Sequence, residues 1–445
     1  MLPVHRVLFC SALAASLGVV ARAADPVLLS FAVTGDCRID PTNPKIAAKD
    51  FSADWLKDLS PDQLGRFHHL GGADGKYPFF FNIVQMRQDL KDLAALQPAP
   101  SYFFITGDLV AGFQRNDQGA TLKDQLEDFQ TAVQTVKLPG SLQLVPLPGN
   151  HEMTFKEFQK NYTVTVTGDD EADQATWRSW MSGNRYDTLG SNGPGSGTLI
   201  GKDDLAGLDA IDTSDAQRAA LAALKDQVPI NLKDDQSRMT YSFDSRSVHF
   251  VVLNTDTISS AQVEEADNDN REEFQEEGLV PLAWVRQDLA NAQKNDQIKH
   301  IFVLGHKPIL YPRGLSSKGK PVTGGPDDTL NAALAEPLRQ LLIQNSKVRA
   351  YLVSHVHLWH ADSLADGVKD GDASTRPVQI VAGNGGTYFE KFWTPDGGPY
   401  FGFTLVKVHQ SGRVTYNSYQ RPAPAPIFGG PASPAQPRPA SVEIK

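Results

Sequence analysis

Cysteine is almost absent from this chain: 445 residues contain two, Cys10 and Cys37. A disulfide scaffold is excluded, so stability must come from a hydrophobic core. Long apolar runs are equally scarce. One stretch, Val7 to Val20, is apolar but shorter than the ~20 residues that span a bilayer comfortably. It lies between a basic start at His5 and Arg6 and an A-x-A pattern at Ala21-Arg22-Ala23. That combination predicts a signal peptide over residues 1–23, removed on export to a secreted or periplasmic destination. Cleavage would leave Cys37 as the one thiol and, by loss of Arg6 and Arg22, move the formal charge from -10 to -12. Basic runs are missing too, and an acidic chain without one is not expected to bind nucleic acid generally. No membrane span is expected after cleavage.

What is present is a series of short apolar runs, each ending in residues that can ligate a metal. Val27 to Val33 leads into Thr34-Gly35-Asp36, and Tyr102 to Ile105 into Thr106-Gly107-Asp108. Leu142 to Leu147 precedes Gly149-Asn150-His151-Glu152. Ile301 to Leu304 precedes Gly305-His306-Lys307-Pro308, and Val348 to Val353 precedes Ser354-His355-Val356-His357. Runs this short, rich in Val, Ile, Leu and Phe, read as buried strands. Open α/β folds place their sites at the carboxyl ends of such strands. Helical spacing between them, over Phe79 to Leu96, Leu282 to Gln293 and Leu330 to Ile343, predicts a layered α/β domain. Met239 to Phe243 with Val248 to Leu253 reads as a hairpin. Gln379 to Val381, Tyr400 to Val408 and Arg413 to Tyr419 add strands, a count that suits two sheets with helices outside.

Two stretches exceed ordinary connections, Cys37 to Pro78 and Phe155 to Arg238. Both leave ligand-bearing strands, so both are expected over the active-site face as lids or substrate selectors. Trp177, Trp180 and Tyr186 in the second could stack on a ligand or form a small core of their own. The domain is expected to span residues 24–420. From Arg421 onward the chain is Pro- and Ala-rich without periodicity, which predicts a disordered tail over residues 421–445.

Asp36 and Asp108 offer carboxylates, Asn150 a neutral oxygen, and His306, His355 and His357 imidazoles. This set could hold one or two divalent ions, with manganese, iron and zinc all compatible. The ions would polarise a phosphoryl group and acidify a water. His151, beside a ligand, is placed to protonate a leaving oxygen or steady the phosphoryl oxygens.

The ordered set resembles the calcineurin-like metallophosphoesterases, including their purple-acid-phosphatase branch, from about Val27 to Tyr419 outside the two insertions. Their pattern runs D-x-H, G-D-x-x, G-N-H-[DE], a histidine in G-H, then G-H-x-H. Carried over, the resemblance implies Asp36 and His357 on a first ion and Asp108 bridging. It places Asn150, His306 and His355 on a second ion and makes His151 the catalytic histidine. It also implies an α/β fold, a four-layer αββα sandwich of two mixed sheets flanked by helices. The activity implied is hydrolysis of small-molecule phosphate esters, monoesters before diesters.

One position departs from the pattern. Asp36-Cys37-Arg38 has arginine where the histidine of D-x-H belongs, and guanidinium has no lone pair for a metal. The purple acid phosphatases use a nearby tyrosine instead, and none lies within a few residues of Asp36. Arg38 could clamp substrate phosphate, could replace the charge of the first ion, or could be bypassed by His68 or His69 folding back. It also raises the alternative of a binding or scaffold protein on a decayed phosphoesterase fold. The kept His151 argues against that alternative. A different metallohydrolase, such as an amidase, is a second rival.

Other candidates have plainer readings. His249 alternates with apolar neighbours and is expected to be a satisfied core histidine. His360 is expected to cap a loop or line the pocket rim. The acidic run Glu264 to Glu277 does not match a calcium loop. Gly383-Asn384-Gly385-Gly386 reads as a tight turn beside the metal loops, and Asn161-Tyr162-Thr163 is a formal glycosylation sequon.

Overall fold

The apolar runs and helical stretches are all realised in a computed structural model. It describes residues 25–39, 50–67, 79–115, 120–153, 156–158, 164–166, 170–182, 198–200, 232–234, 236–256, 280–312, 314–315, 321–322, 329–330, 332–368, 372–390, 399–438 and 440–445. In chain order the main elements begin with β1 (Val27–Thr34), α1 (Ile83–Ala95), β2 (Tyr102–Thr106), α2 (Leu122–Gln134), β3 (Gln143–Leu147), the single turn α3 (Asn150–Met153) and α4 (Asp170–Ser182). They continue with β4 (Tyr241–Ser245), β5 (Val248–Val252), α5 (Leu282–Lys294), β6 (His300–Leu304), α6 (Ala332–Gln344), β7 (Val348–Val353), β8 (Trp359–Ser363) and β9 (Val378–Ala382). β10 (Tyr400–His409), β11 (Val414–Pro422), β12 (Gln436–Pro437) and β13 (Val442–Ile444) complete the set.

One sheet is ordered β12-β11-β10-β1-β2-β3 with β13 beside β11, the other β8-β9-β7-β6-β5-β4. β1, β2 and β3 are parallel, as are β5, β6, β7 and β9. Antiparallel partners flank both groups, so both sheets are mixed.

Period-two alternation sorts the strand residues into layers. Phe31 and Val33 of β1 face the layer between the sheets, where Phe104, Phe250 and Phe302 join them. Ala32 faces the other way, into a cluster with Leu90 of α1 and Leu126 and Phe129 of α2. In β6, Phe302 and Leu304 point between the sheets, while Ile301 and Val303 meet Leu289 of α5 and Leu338 of α6. Phe31 sits edge-on to Phe104, Phe250 and Phe302 at centroid distances of 5.6, 5.1 and 4.9 Å. Each such pair adds about 0.5–1.5 kcal/mol beyond area burial. The result is helix, sheet, sheet, helix: the four-layer αββα sandwich that the resemblance implied.

The described parts of both insertions feed the outer core. Trp55 and Phe67 from the first join it. So do Trp177 and Trp180 from the second, 5.3 Å apart between ring centroids. Tyr186, His68, His69, the acidic run, the sequon and residues 1–23 lie outside the described residues.

The expectation of a disordered tail needs correction. β11 runs on to Pro422, and both β12 and β13 pair with it. Arg421 is wholly buried. Its Nε donates to Gln85 Oε1 at 2.6 Å, its Nη1 to Asp92 Oδ2 at 3.2 Å, and its Nη2 to Asp89 Oδ1. Phe428 and Ala435 then enter the outer core. Composition averages over such a segment, whereas order here comes from a few anchors landing on α1 and its surroundings. His360 differs too: it lies inside β8, opposite Val381, rather than at a loop or rim.

Candidate metal centre

The parallel strands of each sheet end at a common edge, and the loops leaving β1, β2, β3, β6 and β7 meet there. Backbone bonds weld them together: Asp36 N–H to Gly107 O at 3.1 Å, Gly35 N–H to Ala382 O at 2.9 Å and Ser354 N–H to His306 O at 2.9 Å. Asp36, Asp108 and His355 turn into the site through φ values of 56°, 53° and 67°. Left-handed backbone at a non-glycine residue costs roughly 1–3 kcal/mol and persists where packing over-determines it. Gly107, at φ 94°, leaves the room this requires, since a Cβ there would stand 2.5 Å from His306 Nδ1.

On one side of Asp108, lone pairs converge. His306 Nδ1 faces the Thr106 carbonyl at 2.8 Å, which puts the ring proton there and leaves Nε2 as an acceptor. That Nε2 stands 3.1 Å from Asn150 Oδ1, 3.1 Å from His355 Nδ1 and 3.3 Å from Asp108 Oδ1. The ligand atoms of Asp108, His306 and His355 lie within 4.8 Å of one another. With the proton of His355 on its other nitrogen, these atoms would present lone pairs to one point, where a cation would relieve their repulsion. The mixed oxygen and nitrogen set fits a divalent ion.

On the other side sits Arg38. Its Nε donates to Asp108 Oδ2 at 2.7 Å and its Nη2 faces His357 Nε2 at 3.2 Å. His357 Nε2 is 3.6 Å from Asp36 Oδ1. Asp36 is fully buried, and neither of its oxygens meets a hydrogen-bond donor among the described residues. Burial, then the neighbouring Asp108, pushes the Asp36 carboxyl well above the usual range. Burial also acts upward on Asp108, but His151, His306, Arg38 and His355 together hold it well below. Burial and the Arg38 charge keep His357 well below the usual imidazole value. Cys37 is buried in the outer core, away from the site, and burial holds its thiol protonated.

His151 follows Asn150 on the single turn after β3. Its Nδ1 bonds to the Ala111 carbonyl, and its Nε2 lies 3.8 Å from Asp108 Oδ2. Every sequence-derived candidate among the described residues is therefore in one cluster: Asp36, Arg38, Asp108, Asn150, His151, His306, His355 and His357.

Sequence reasoning passed over the residues that hold this cluster in place. Glu152 accepts N–H bonds from Asp108, Gly149 and Val110 at 3.0, 2.9 and 3.1 Å. Burial and the Asp108 charge push its carboxyl up to about 8, against the pull of those three donors. Thr255 Oγ accepts from the backbone N–H of His306 and Lys307 at 3.1 and 3.0 Å. Ser354 Oγ donates to Thr106 O at 2.5 Å. For Thr255 the signal was available: it follows β5, whose parallel partner β6 delivers His306.

The family model described as calcineurin-like phosphoesterase matches residues 30–359. No curated protein matches the sequence. Among solved structures, a purple acid phosphatase from yellow lupin (Lupinus luteus) seeds is similar at 14% identity and TM-score 0.40. The alignment covers 88% of this chain and 51% of that one. The chain thus spans about half the length of the lupin protein. A dimetal phosphatase from Danio rerio is similar at 11% identity and TM-score 0.44, covering 94% of this chain and 99% of that one.

Proposed function

The chain belongs to the calcineurin-like phosphoesterase family, and from that membership we propose an exported hydrolase of small phosphate esters, monoesters before diesters, with His151 as general acid. The observation that carries this reading is the convergence of His306 Nε2, His355 Nδ1, Asn150 Oδ1 and Asp108 Oδ1. Those four residues would hold a divalent ion. Manganese, iron and zinc each accept such a set. When bound, the ion supplies Lewis-acid polarisation of the phosphoryl group and a water acidic enough to attack at neutral pH.

The chain's own residues do the rest. The Thr106 carbonyl and the Ser354 hydroxyl fix the His306 ring, so its free nitrogen always faces Asp108. His151 keeps one ring proton on Nδ1, donated to Ala111, and turns Nε2 toward the Asp108 edge. A proton carried on that Nε2 can pass to the departing alkoxide. Export is supported by the basic start, apolar stretch and Ala21-Arg22-Ala23 of the first 23 residues.

The test is hydrolysis of an aryl phosphomonoester and the matching diester by the full chain, before and after chelation. Monoester turnover should disappear with the metal and return when a divalent ion is added back. Full activity after metal removal would refute the reading. Export is checked separately, by amino-terminal sequencing of the recovered protein, which should begin at Ala24.

A further inference from the structure

Two ions would need two openings among the ligand atoms, and the Arg38 guanidinium fills one of them. We infer that this centre takes a single divalent ion, with the Arg38 guanidinium as a permanent substitute for the other. This rests on the metal-dependent function proposed above.

The two sides of Asp108 differ in kind. At Oδ1 the side-chain neighbours are potential metal donors, His306 Nε2, Asn150 Oδ1 and His355 Nδ1, with the His151 backbone N–H also donating to it at 3.2 Å. At Oδ2 the neighbour is a donor, Arg38 Nε at 2.7 Å. The adjacent Nη2 reaches His357 Nε2 at 3.2 Å. Metal–ligand bonds to nitrogen and oxygen run to about 2.0–2.2 Å. An ion bridging Asp108 Oδ2 and His357 Nε2 would therefore need the volume that the guanidinium edge fills.

Arg38 is not poised to leave. Its side chain is 9% exposed. Its backbone is clamped on both sides: Cys37 and Arg38 N–H both donate to Asp108 O, at 2.9 and 3.1 Å, and Ile39 N–H to Phe80 O at 3.1 Å. Guanidinium stays protonated across any working pH, so no titration vacates the position. Its charge also answers an electrostatic need. Without it Asp36 and Asp108, both wholly buried, would repel each other with no positive charge between them.

The phosphate-clamp account of Arg38 fares less well. A bidentate phosphate clamp through Nε and Nη2 would have to break both observed contacts. Rescue by His68 or His69 involves residues outside those described.

The experiment is metal content per chain by mass spectrometry, on full-length protein reconstituted with Mn2+ and freed of loose ions, with electron paramagnetic resonance on the same sample. The expected result is one ion per wild-type chain, with an uncoupled Mn2+ spectrum. Arg38→His, which restores a lone pair, should bring the content toward two and produce a spin-coupled pair. Two ions or a coupled spectrum in the wild type would overturn the inference while leaving the proposed function standing. An Arg38→His protein that is folded by circular dichroism yet takes up no more metal than wild type would also overturn it. No uptake of any divalent ion would remove the metal-dependent function, and this inference with it. If Arg38→His fails to fold, the wild-type count decides alone.

Discussion

Glu152 accepts the backbone N–H of Asp108 at 3.0 Å, so the turn after β3 sets the shape of the loop after β2. With Gly149 and Val110 also donating to it, one side chain holds two metal loops in register. Glu152→Gln puts an amide NH2 where an acceptor is required and leaves at least one buried N–H unsatisfied. The expected loss is about 1–3 kcal/mol in urea unfolding, with metal affinity weakened roughly 10–100-fold. Stability loss with unchanged metal affinity would show that Glu152 does not position the ligands.

His151 meets the site through Nε2 while its Nδ1 is tied to Ala111. His151→Ala should lower kcat about 10²–10⁴-fold. Metal content should not change, because Asp108, Asn150, His306 and His355 are all retained. Single-turnover kinetics on an aryl phosphomonoester would check this. Undiminished turnover would remove His151 from the mechanism.

Arg421 joins β11 to α1 through Gln85, Asp89 and Asp92, all in the interior or at its edge. Arg421→Met strands the wholly buried Asp89 carboxylate and takes one donor from Asp92, which keeps those of Gln88 and Ala435. The expected cost is about 3–5 kcal/mol. Because β12 and β13 hang on β11, limited proteolysis should also begin to cut beyond residue 422. Wild-type resistance in the variant would contradict this role.

His249 is satisfied, as its strand pattern suggested, but by charge. Its Nδ1 contacts Asp244 Oδ1 at 2.6 Å and its Nε2 contacts Asp288 Oδ2 at 2.9 Å. Burial acts downward on the ring, yet the bonds to Asp288 and Asp244 outweigh it and raise its pKa. A raised histidine pKa contributes stability that is complete below the unfolded value of about 6.5 and fades as pH rises through the folded value. Wild type should therefore exceed His249→Gln by about 1–3 kcal/mol at mildly acidic pH, with the gap narrowing toward alkaline pH. Thermal unfolding of both proteins across that range measures it; a gap independent of pH would rule out the charged pairing.

Much of the candidate site could be read from the chain because strand ends are local. Val27 to Val33 alternates so that Phe31 and Val33 fall on one face, and Gly35-Asp36 follows at the break. The same local logic placed Asp108, Asn150, His151, His306, His355 and His357 at loop starts after buried strands. It also suggested two sheets, since a hairpin and extra strands exceeded what one sheet needs.

What stayed out of reach depended on contacts between segments far apart in sequence. Arg38 is visible as an exception, but its partners are 70 and 319 residues away. Whether it faces substrate or fills an ion's place is decided by how the loops after β1, β2 and β7 converge. The tail misled for the same reason: Pro and Ala dominate it, while its order comes from Arg421, Phe428 and Ala435 docking on a surface made by residues from the first third of the chain. The sequence alone determined which residues could be ligands and which faces would be buried, because period-two alternation and strand breaks are properties of neighbouring residues. The tertiary structure alone decided which lone pairs remain open, because that depends on what packs beside each one after the chain closes on itself.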